Sequence, residues 1–137
     1  ILILNLRCQH SQKCLKISRD CLREITDSSR STTIHRFEVW WVNLEPTKGS
    51  EIRKTRPCVI ISPDELAALK TIIVAPMTSQ GFEFPSRISC EFDGKHALIL
   101  LDQMRAVDKN RLLEKMGILE ASVQKKVISC LLELFAE

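Results

Sequence analysis

NLEPTKGSEIRKTRPCVIISPD, residues 43–64, is the stretch that decides the fold of this chain. Apolar runs flank its polar centre, with VWWV directly before the stretch and VII near its end. Such runs favour β-strands, whereas Pro46 and Gly49 between them favour a turn. We therefore predict two strands joined by a loop. The strands hold this loop in place and water can reach it, which makes it a good position for a functional site.

Positive charge is concentrated in this loop. Arg56 directly precedes Pro57, and steric contact with a proline ring pushes the preceding residue towards extended backbone. We expect Arg56 to begin the second strand and to be held more firmly than the other loop cations. A solvated hairpin loop without a function explains the same pattern, so both interpretations stay open at this point. The charged residues between positions 48 and 56 are Lys48, Glu51, Arg53, Lys54 and Arg56.

Short strands account for most of the chain on both sides of this loop. The first of them is apolar on both faces, which suits a strand buried on both sides. Asp93 and Gly94 form a hairpin turn signal between two of the later strands. The predicted strands are residues 37–44, 57–62, 71–76, 87–92 and 95–101, with a short strand or turn at residues 106–107.

The C-terminal part of the chain predicts one amphipathic helix. Residues 122–135 place apolar side chains at helical spacing on one side, with Ser122 as the predicted cap. Residues 112–119, which contain Gly117, are interpreted as a connection. Many short strands and one closing helix predict a mainly β (α+β) fold, in which a small twisted sheet curls into a partial barrel.

Length and charge exclude other broad classes of protein. A chain of 137 residues predicts one domain. Residues 1–36 carry a net charge of +4, from seven Lys/Arg and three Asp/Glu, whereas residues 37–137 carry −1, from thirteen Lys/Arg and fourteen Asp/Glu. The domain is therefore not a generally basic nucleic-acid binder, and an RNA site would be a local patch. No apolar run approaches the roughly 18 residues of a membrane span, so no membrane contact is expected. Cys58 and Cys90 in predicted strands and Cys130 in the helix suit reduced, small apolar side chains, so we expect a cytoplasmic protein.

The first 36 residues have no clear core pattern. We interpret them as a poorly ordered extension ahead of a domain at residues 37–137. Four residues of the extension are of types that bind zinc, but their spacing lacks the paired pattern of zinc sites, so no metal is expected. They are Cys8, His10, Cys14 and Cys21.

Four motifs in one order resemble the MazF/PemK/Kid family of toxin endoribonucleases. They are EVWWVNLEP, GSEIRKTRPCVIISPD, TIIVAPMTSQG and ALILLDQMRAVDKNRL. The resemblance runs from Glu38 to the C-terminus and leaves the extension uncovered. It implies an SH3-like barrel with short helices and a C-terminal helix, assembled as a homodimer.

The resemblance also implies a site that cleaves RNA without a metal or other cofactor. Such a site needs a group that takes the 2′-hydroxyl proton, a group that stabilises charge on the phosphate, and a donor for the leaving 5′-oxygen. In the family the positions of Arg56 and Thr78 are the catalytic pair, and an acid at the position of Glu51 acts as a base or positions substrate. Asp102 follows four apolar residues and is the second candidate carboxylate. The candidate substrate-binding residues are Lys48, Arg53, Lys54, Ser79, Gln103 and Arg105.

The chain departs from the family at identifiable positions. Some relatives use an Arg two positions before the acid that matches Asp102, and here that position is Leu100. Arg105 is expected either to bind substrate or to pair with Asp102 or Asp108. Relatives usually have Gly where this chain has Phe37, which is expected to change how the first strand begins.

The family's partners follow from the same resemblance. It implies a type II toxin that cleaves single-stranded mRNA at short motifs and arrests growth. A cognate antitoxin with a disordered tail neutralises such a toxin, and operator DNA is bound only through the complex of the two. Two alternatives stay open, a non-catalytic binding protein of the same fold and a toxin inactivated by its extension. The chain lacks the Trp-Gly-Ile ending of the gyrase-poisoning branch.

Overall fold

The computed structural model of the chain describes residues 33–51 and 54–136. Seven strands and one α-helix make up this part. The structure confirms the mainly β prediction, a curled partial barrel with one C-terminal helix. The elements are β1 (Glu38–Asn43), β2 (Thr55–Ile60), β3 (Thr71–Thr78), β4 (Arg87–Phe92), β5 (Lys95–Leu100), β6 (Arg105–Asp108), β7 (Leu112–Ile118) and α1 (Ala121–Leu134).

The strands form one antiparallel sheet in the order β4-β5-β3-β2-β1-β7, and β6 also pairs with β3. β3 is the centre of this arrangement because it pairs with three strands along its length. Its start faces β6, its middle faces β2, and its last two residues, Met77 and Thr78, face β5. A 3-10 turn at Leu101–Gln103 lets the chain leave β5 and enter β6. The sheet therefore bends at this corner and curls on itself.

Two hydrophobic clusters fill the two sides of the sheet. One includes Val39, Val59 and Met77 and is covered by α1 through Val123 and Val127. The other lies on the opposite side and consists of Ile34, Trp40, Val42, Leu44, Cys58, Ile60, Ile72, Val74 and Val107. β1 contributes to both clusters, which confirms the prediction that this strand is apolar and buried on both faces.

The entry to β1 explains the unusual residue at position 37. Phe37 has a φ of 71°, a left-handed conformation that glycine adopts without steric cost and bulky residues rarely adopt. Its backbone N–H donates to Ile60 O at 2.8 Å, and its carbonyl accepts from Leu119 N at 3.0 Å. The ring also packs against the cluster under α1. Backbone pairing and ring burial therefore hold Phe37 in a conformation suited to glycine.

Two predictions about the C-terminal part were wrong. Residues 112–119 are not a connection, because β7 (Leu112–Ile118) pairs with β1 along its length. The pairing contains register shifts, so the regular alternation that marks a strand is broken. The helix also begins one residue early. Glu120 rather than Ser122 occupies the cap position, and it makes no side-chain capping hydrogen bond.

Contacts of the domain begin three residues before the predicted boundary at Phe37. Ile34 is buried, His35 N donates to Glu38 Oε1 at 2.7 Å, and Arg36 Nε donates to Ile61 O at 2.9 Å. Residues 1–32 lie outside the described part, so the division into extension and domain stays a prediction. Among the described residues, no helix combines the length and the apolar character that crossing a bilayer requires.

Two truncations test where the domain begins. Deleting residues 1–32 is expected to leave the unfolding transition nearly unchanged. Deleting residues 1–36 removes Ile34, whose burial is worth about 1.5–3 kcal/mol, and is expected to lower the free energy of unfolding by at least that amount. Urea unfolding of both variants measures the difference. An equal loss in both would show that residues 1–32 themselves stabilise the domain.

Substitutions at Phe37 test the left-handed backbone. Phe37→Gly is expected to be more stable than Phe37→Ala by about 1 kcal/mol, because only the alanine carries the steric cost of a positive φ. The matched control is Phe92, which packs against the same cluster from within β4. There Phe92→Ala is expected to be the more stable, as glycine weakens an ordinary strand. Urea unfolding measures which of the two variants is more stable at each position. The same order of stability at both positions would contradict a steric cost of the positive φ at Phe37.

Candidate active site

Arg56 and Thr78 lie on neighbouring strands, each two residues beyond the last pair of the β2–β3 ladder. The paired residues are Cys58 with Pro76, Val59 with Ala75 and Ile60 with Val74. Because side chains alternate along a strand, Arg56 lies on the same face of β2 as Cys58, and Thr78 on the same face of β3 as Pro76. Directly opposed residues of an antiparallel pair point to the same side of the sheet. The ladder therefore places a guanidinium and a hydroxyl on one face, where the buried cluster ends.

Both side chains are half-buried, in contrast to the exposed loop cations. Arg56 lies within β2 and its backbone pairs with Val42 of β1, which confirms that it belongs to the second strand. Thr78 is the last residue of β3, and its Oγ1 accepts a hydrogen bond from Gln80 N at 3.2 Å. The hydroxyl therefore orders the start of the following turn while its own hydrogen can donate to a ligand. Ser79 follows and is exposed.

The β1–β2 loop presents exposed charges beside this pair. Lys48, Glu51 and Lys54 are all exposed. Glu51 N donates to Lys48 O at 3.2 Å, and Lys54 N donates to Glu45 Oε1 at 2.9 Å. These bonds shape the loop through its backbone. Arg53, predicted to bind substrate, lies outside the described residues.

Two arginines from the other side of the barrel hold the base of this loop. Arg105 Nη1 donates to Leu44 O at 3.2 Å. Arg111 Nη1 donates to the carbonyls of Asn43, at 3.2 Å, and Glu45. The expected pairing of Arg105 with Asp102 or Asp108 was therefore wrong. Its guanidinium instead links β6 to the first residue after β1, a contact between residues 61 positions apart that no local pattern indicates.

Asp102 lies at the bend between β5 and β6 and pairs with an arginine that the sequence analysis missed. Arg87 Nε and Nη2 donate to its two carboxylate oxygens, each at 3.3 Å. Arg87 begins β4 and is the cross-strand partner of Leu100, the position where some relatives carry an arginine. The guanidinium of Arg87, on β4, thus reaches the carboxylate of Asp102, which follows β5. Only the β4–β5 register brings Arg87 here. Gln103, half-buried in the same 3-10 turn, follows Asp102.

The Arg87–Asp102 pair and Thr78 both lie close to the backbone of Gly81. A Cβ placed on Gly81 would lie 3.7 Å from Arg87 Nη1 and 3.9 Å from Thr78 Cγ2. Gly81 has a φ of 128°, which residues with a side chain rarely adopt. The turn after β3 therefore runs close between the threonine and the ion pair. The structure brings Thr78 close to the Arg87–Asp102 pair, while Arg56 lies on the neighbouring strand β2 and Glu51 on the β1–β2 loop.

Cysteine chemistry does not belong to this site. Burial raises the pKa of Cys58 to about 12, partly opposed by the charge of Arg105. Burial likewise raises the pKa of Cys90 and of Cys130, with smaller contributions from nearby carboxylates. These thiols stay protonated near neutral pH and are poor nucleophiles. They are free cysteines that pack as small apolar side chains.

The arrangement can bind and polarise a phosphodiester. A guanidinium donates to two phosphate oxygens at once, and a threonine hydroxyl adds a third donor. Across residues 33–51 and 54–136, no group of three or more His, Cys, Asp and Glu side chains is close enough to hold a metal ion. The zinc candidates discounted from their spacing lie in residues 1–32, outside this part of the chain.

Known proteins share this sequence pattern and fold. Residues 35–135 match the family described as PemK-like, MazF-like toxin of type II toxin–antitoxin system. A protein from Staphylococcus saprophyticus named Endoribonuclease MazF is 36% identical over 101 residues, which cover 69% of this chain and 84% of that protein. The crystal structure of MazF (Form-I) from Deinococcus radiodurans has a TM-score of 0.66 at 24% identity, covering 74% of this chain and 96% of that one.

A second solved structure with a similar fold is that of a complex. It is an endoribonuclease with its cognate antitoxin from a mycobacterial species, with a TM-score of 0.62 and 14% identity. The similarity covers 73% of this chain and 92% of that one. At these identities the two structures establish a common fold.

Proposed function

The chain is an endoribonuclease of the PemK-like, MazF-like toxins of type II toxin–antitoxin systems, and we propose that it cleaves single-stranded mRNA at short sequence motifs without a metal ion. Its motifs predicted this family. The observation that supports this proposal is the β2–β3 register, which puts Arg56 and Thr78 on the same face of adjacent strands. The 2′-hydroxyl of RNA attacks the adjacent phosphorus, and the 5′-oxygen of the next nucleotide leaves. DNA has no 2′-hydroxyl, so this chemistry selects RNA.

Arg56 stabilises the negative charge that grows on the phosphate oxygens in the transition state. Its guanidinium stays protonated in proteins, so charge stabilisation suits it better than proton donation. Its half-buried position strengthens this interaction, because less water competes for the phosphate. Thr78 donates a hydrogen bond to the same phosphate and helps to fix its orientation.

Glu51 is the better placed of the two candidate carboxylates to take the 2′-hydroxyl proton. It is exposed on the loop that leads to Arg56, where a bound substrate can approach it. Both carboxylate oxygens of Asp102 accept from Arg87, so this ion pair fixes its position at the end of β5. We assign Asp102 to holding the end of β5 and Arg87 in place. Lys48, Arg53, Lys54, Ser79 and Gln103 bind the substrate strand around the cleaved bond.

We further propose that the toxin acts in the cytoplasm as a homodimer and is neutralised by a cognate antitoxin with a disordered tail. Exposed charge on the β1–β2 loop supports this antitoxin, because an acidic tail and RNA would compete for the same cations. Operator DNA is contacted only through the toxin–antitoxin complex. Large apolar side chains on β7 and α1 remain exposed and support a second copy as their partner. They are Leu113, Ile118, Leu132, Leu134 and Phe135.

Arg56→Ala is expected to reduce RNA cleavage by about 10²–10³-fold, because one preorganised donor to the developing charge is lost. Arg56→Lys is expected to recover little, since one ammonium cannot make the two-point contact. Thr78→Ala is expected to cost less, as a neutral hydroxyl is the weaker partner. Cleavage of a long RNA in EDTA measures the rates, and mapped fragments are expected to end in cyclic phosphate or 3′-phosphate.

The matched control is Lys54→Ala, which removes an exposed cation from the same loop. It is expected to cost far less than Arg56→Ala. Equal losses at Lys54 and Arg56 would indicate that general electrostatic attraction, and not a dedicated residue, supports cleavage. Full activity of Arg56→Ala would refute the mechanism, whereas loss of wild-type cleavage in EDTA, restored by Mg²⁺, would refute metal independence.

The homodimer is tested by mass in solution. Light scattering at micromolar concentration is expected to give the mass of two chains. Leu134→Glu places a charge within the exposed apolar end of α1 and is expected to shift the mass towards one chain. Lys125→Glu changes charge at an exposed position of the same helix and is expected to leave the dimer intact. A wild-type mass of one chain would contradict the proposal.

A further inference from the structure

Two aromatic side chains stand out of the turn between β3 and β4. Phe82 is 66% exposed and Phe84 is 58% exposed, and their rings meet edge to face with centroids 6.3 Å apart. The turn spans residues 79–86, directly after the proposed phosphate site at Thr78. Two neighbouring exposed aromatic rings form an apolar surface that the proposed chemistry at Arg56 and Thr78 does not use.

Arg87 holds the ring of Phe82 in place. Its guanidinium lies over the ring, with Cζ 4.6 Å from the centroid, and Nη1 also reaches Phe82 O at 3.5 Å. Its Nε and Nη2 donate to Asp102. The Arg87 side chain is only 15% exposed, so ring, guanidinium and carboxylate pack as one unit. Phe84 has no such support from Arg87 among the ring contacts of the described residues.

Position and chemistry together point to a nucleobase as the missing partner. Gly81 brings this unit beside Thr78, so a nucleotide next to the bound phosphate has its base within reach of Phe82. Unpaired bases stack on aromatic side chains and on arginine guanidinium planes, whereas bases within a duplex are already stacked. A ring that is fixed before binding loses little conformational freedom when a base stacks on it.

We propose that Phe82 is a base-stacking residue for a nucleotide that flanks the cleaved bond, and that Arg87 is the positioning residue that fixes its ring. This inference rests on the proposed function, since it assigns the site to single-stranded RNA. Stacking on Phe82 selects unpaired substrate and sets which nucleotide lies next to the phosphate. Asp102 acts indirectly, because its ion pair with Arg87 orients the guanidinium.

The experiment uses the full chain and an RNA that it cannot cleave. Cleavage sites are first mapped on a long RNA with the wild-type protein. A short single-stranded oligonucleotide around one site is then made with a 2′-deoxy nucleotide at the cleaved position, because cleavage needs the 2′-hydroxyl. Matched oligonucleotides each lack one flanking base. Fluorescence polarisation gives the dissociation constants for wild type, Phe82→Ala and Phe84→Ala.

Phe82→Ala is expected to weaken binding of the intact oligonucleotide by about 5- to 150-fold, the range for loss of one stacked base. Removing the stacked base is expected to weaken wild-type binding similarly, and to have little further effect on Phe82→Ala, since both changes delete one interaction. Phe84→Ala is the matched control, and its effect is expected to add to that of base removal. Unfolding curves check that each variant is folded.

Phe82→Trp supplies a direct signal. Its indole fluorescence is expected to be quenched by the intact oligonucleotide and not by the one that lacks the stacked base. Arg87→Lys keeps the charge but loses the flat contact and the paired bonds to Asp102, so it is expected to reproduce part of the loss in Phe82→Ala.

Other outcomes overturn the inference. Additive effects of Phe82→Ala and every base removal would show that no base stacks there. Unchanged RNA binding combined with weaker antitoxin binding would assign the surface to that protein, and unchanged RNA binding combined with a lower mass in solution would assign it to a second copy. In each of these cases the wild type still cleaves RNA. A wild-type protein that does not cleave RNA refutes the proposed function as well.

Discussion

The buried carboxylate of Glu38 is the interaction on which the arrangement of the sheet depends. Its side chain is 1% exposed, yet it accepts hydrogen bonds from His35 N, Trp40 Nε1 and Lys115 Nζ. Burial alone would raise the pKa of Glu38, but the bonds from Lys115, His35 and Trp40 outweigh it and keep the pKa below its usual range. One ionised group therefore joins the segment before β1, β1 itself and β7.

This junction explains how β1 stays paired with the edge strand β7 although their pairing is irregular. Lys115 of β7 reaches Glu38 although the β1–β7 register shifts twice. With β1 held at one side, β2 pairs along its other edge and leads to β3. β3 then pairs with β2, β5 and β6 in turn, so residues from distant parts of the chain meet at its end. Thr78, at the end of β3, thus lies close to Gly81 and the Arg87–Asp102 pair.

Several charged residues hold loops of the sheet in place. Arg105 and Arg111 donate to carbonyls at the base of the β1–β2 loop and hold it in shape. Arg87 and Asp102 neutralise each other beneath the β3–β4 turn. Most of these contacts join residues far apart in sequence. A cation that appears in a family motif can therefore serve the loop that carries the site, and not the substrate itself.

Sequence alone determined the elements whose signals are local. Apolar runs, the Arg56–Pro57 step and the Asp93–Gly94 turn identified the early strands and the hairpin, and the four motifs identified the family. Tertiary structure decided what depends on register between distant strands. It made residues 112–118 a strand, gave Asp102 the partner Arg87, turned Arg105 towards Leu44 and held Phe37 at a positive φ. Local patterns report only burial and backbone preference, whereas these outcomes depend on which side chains meet once β3 has joined three strands.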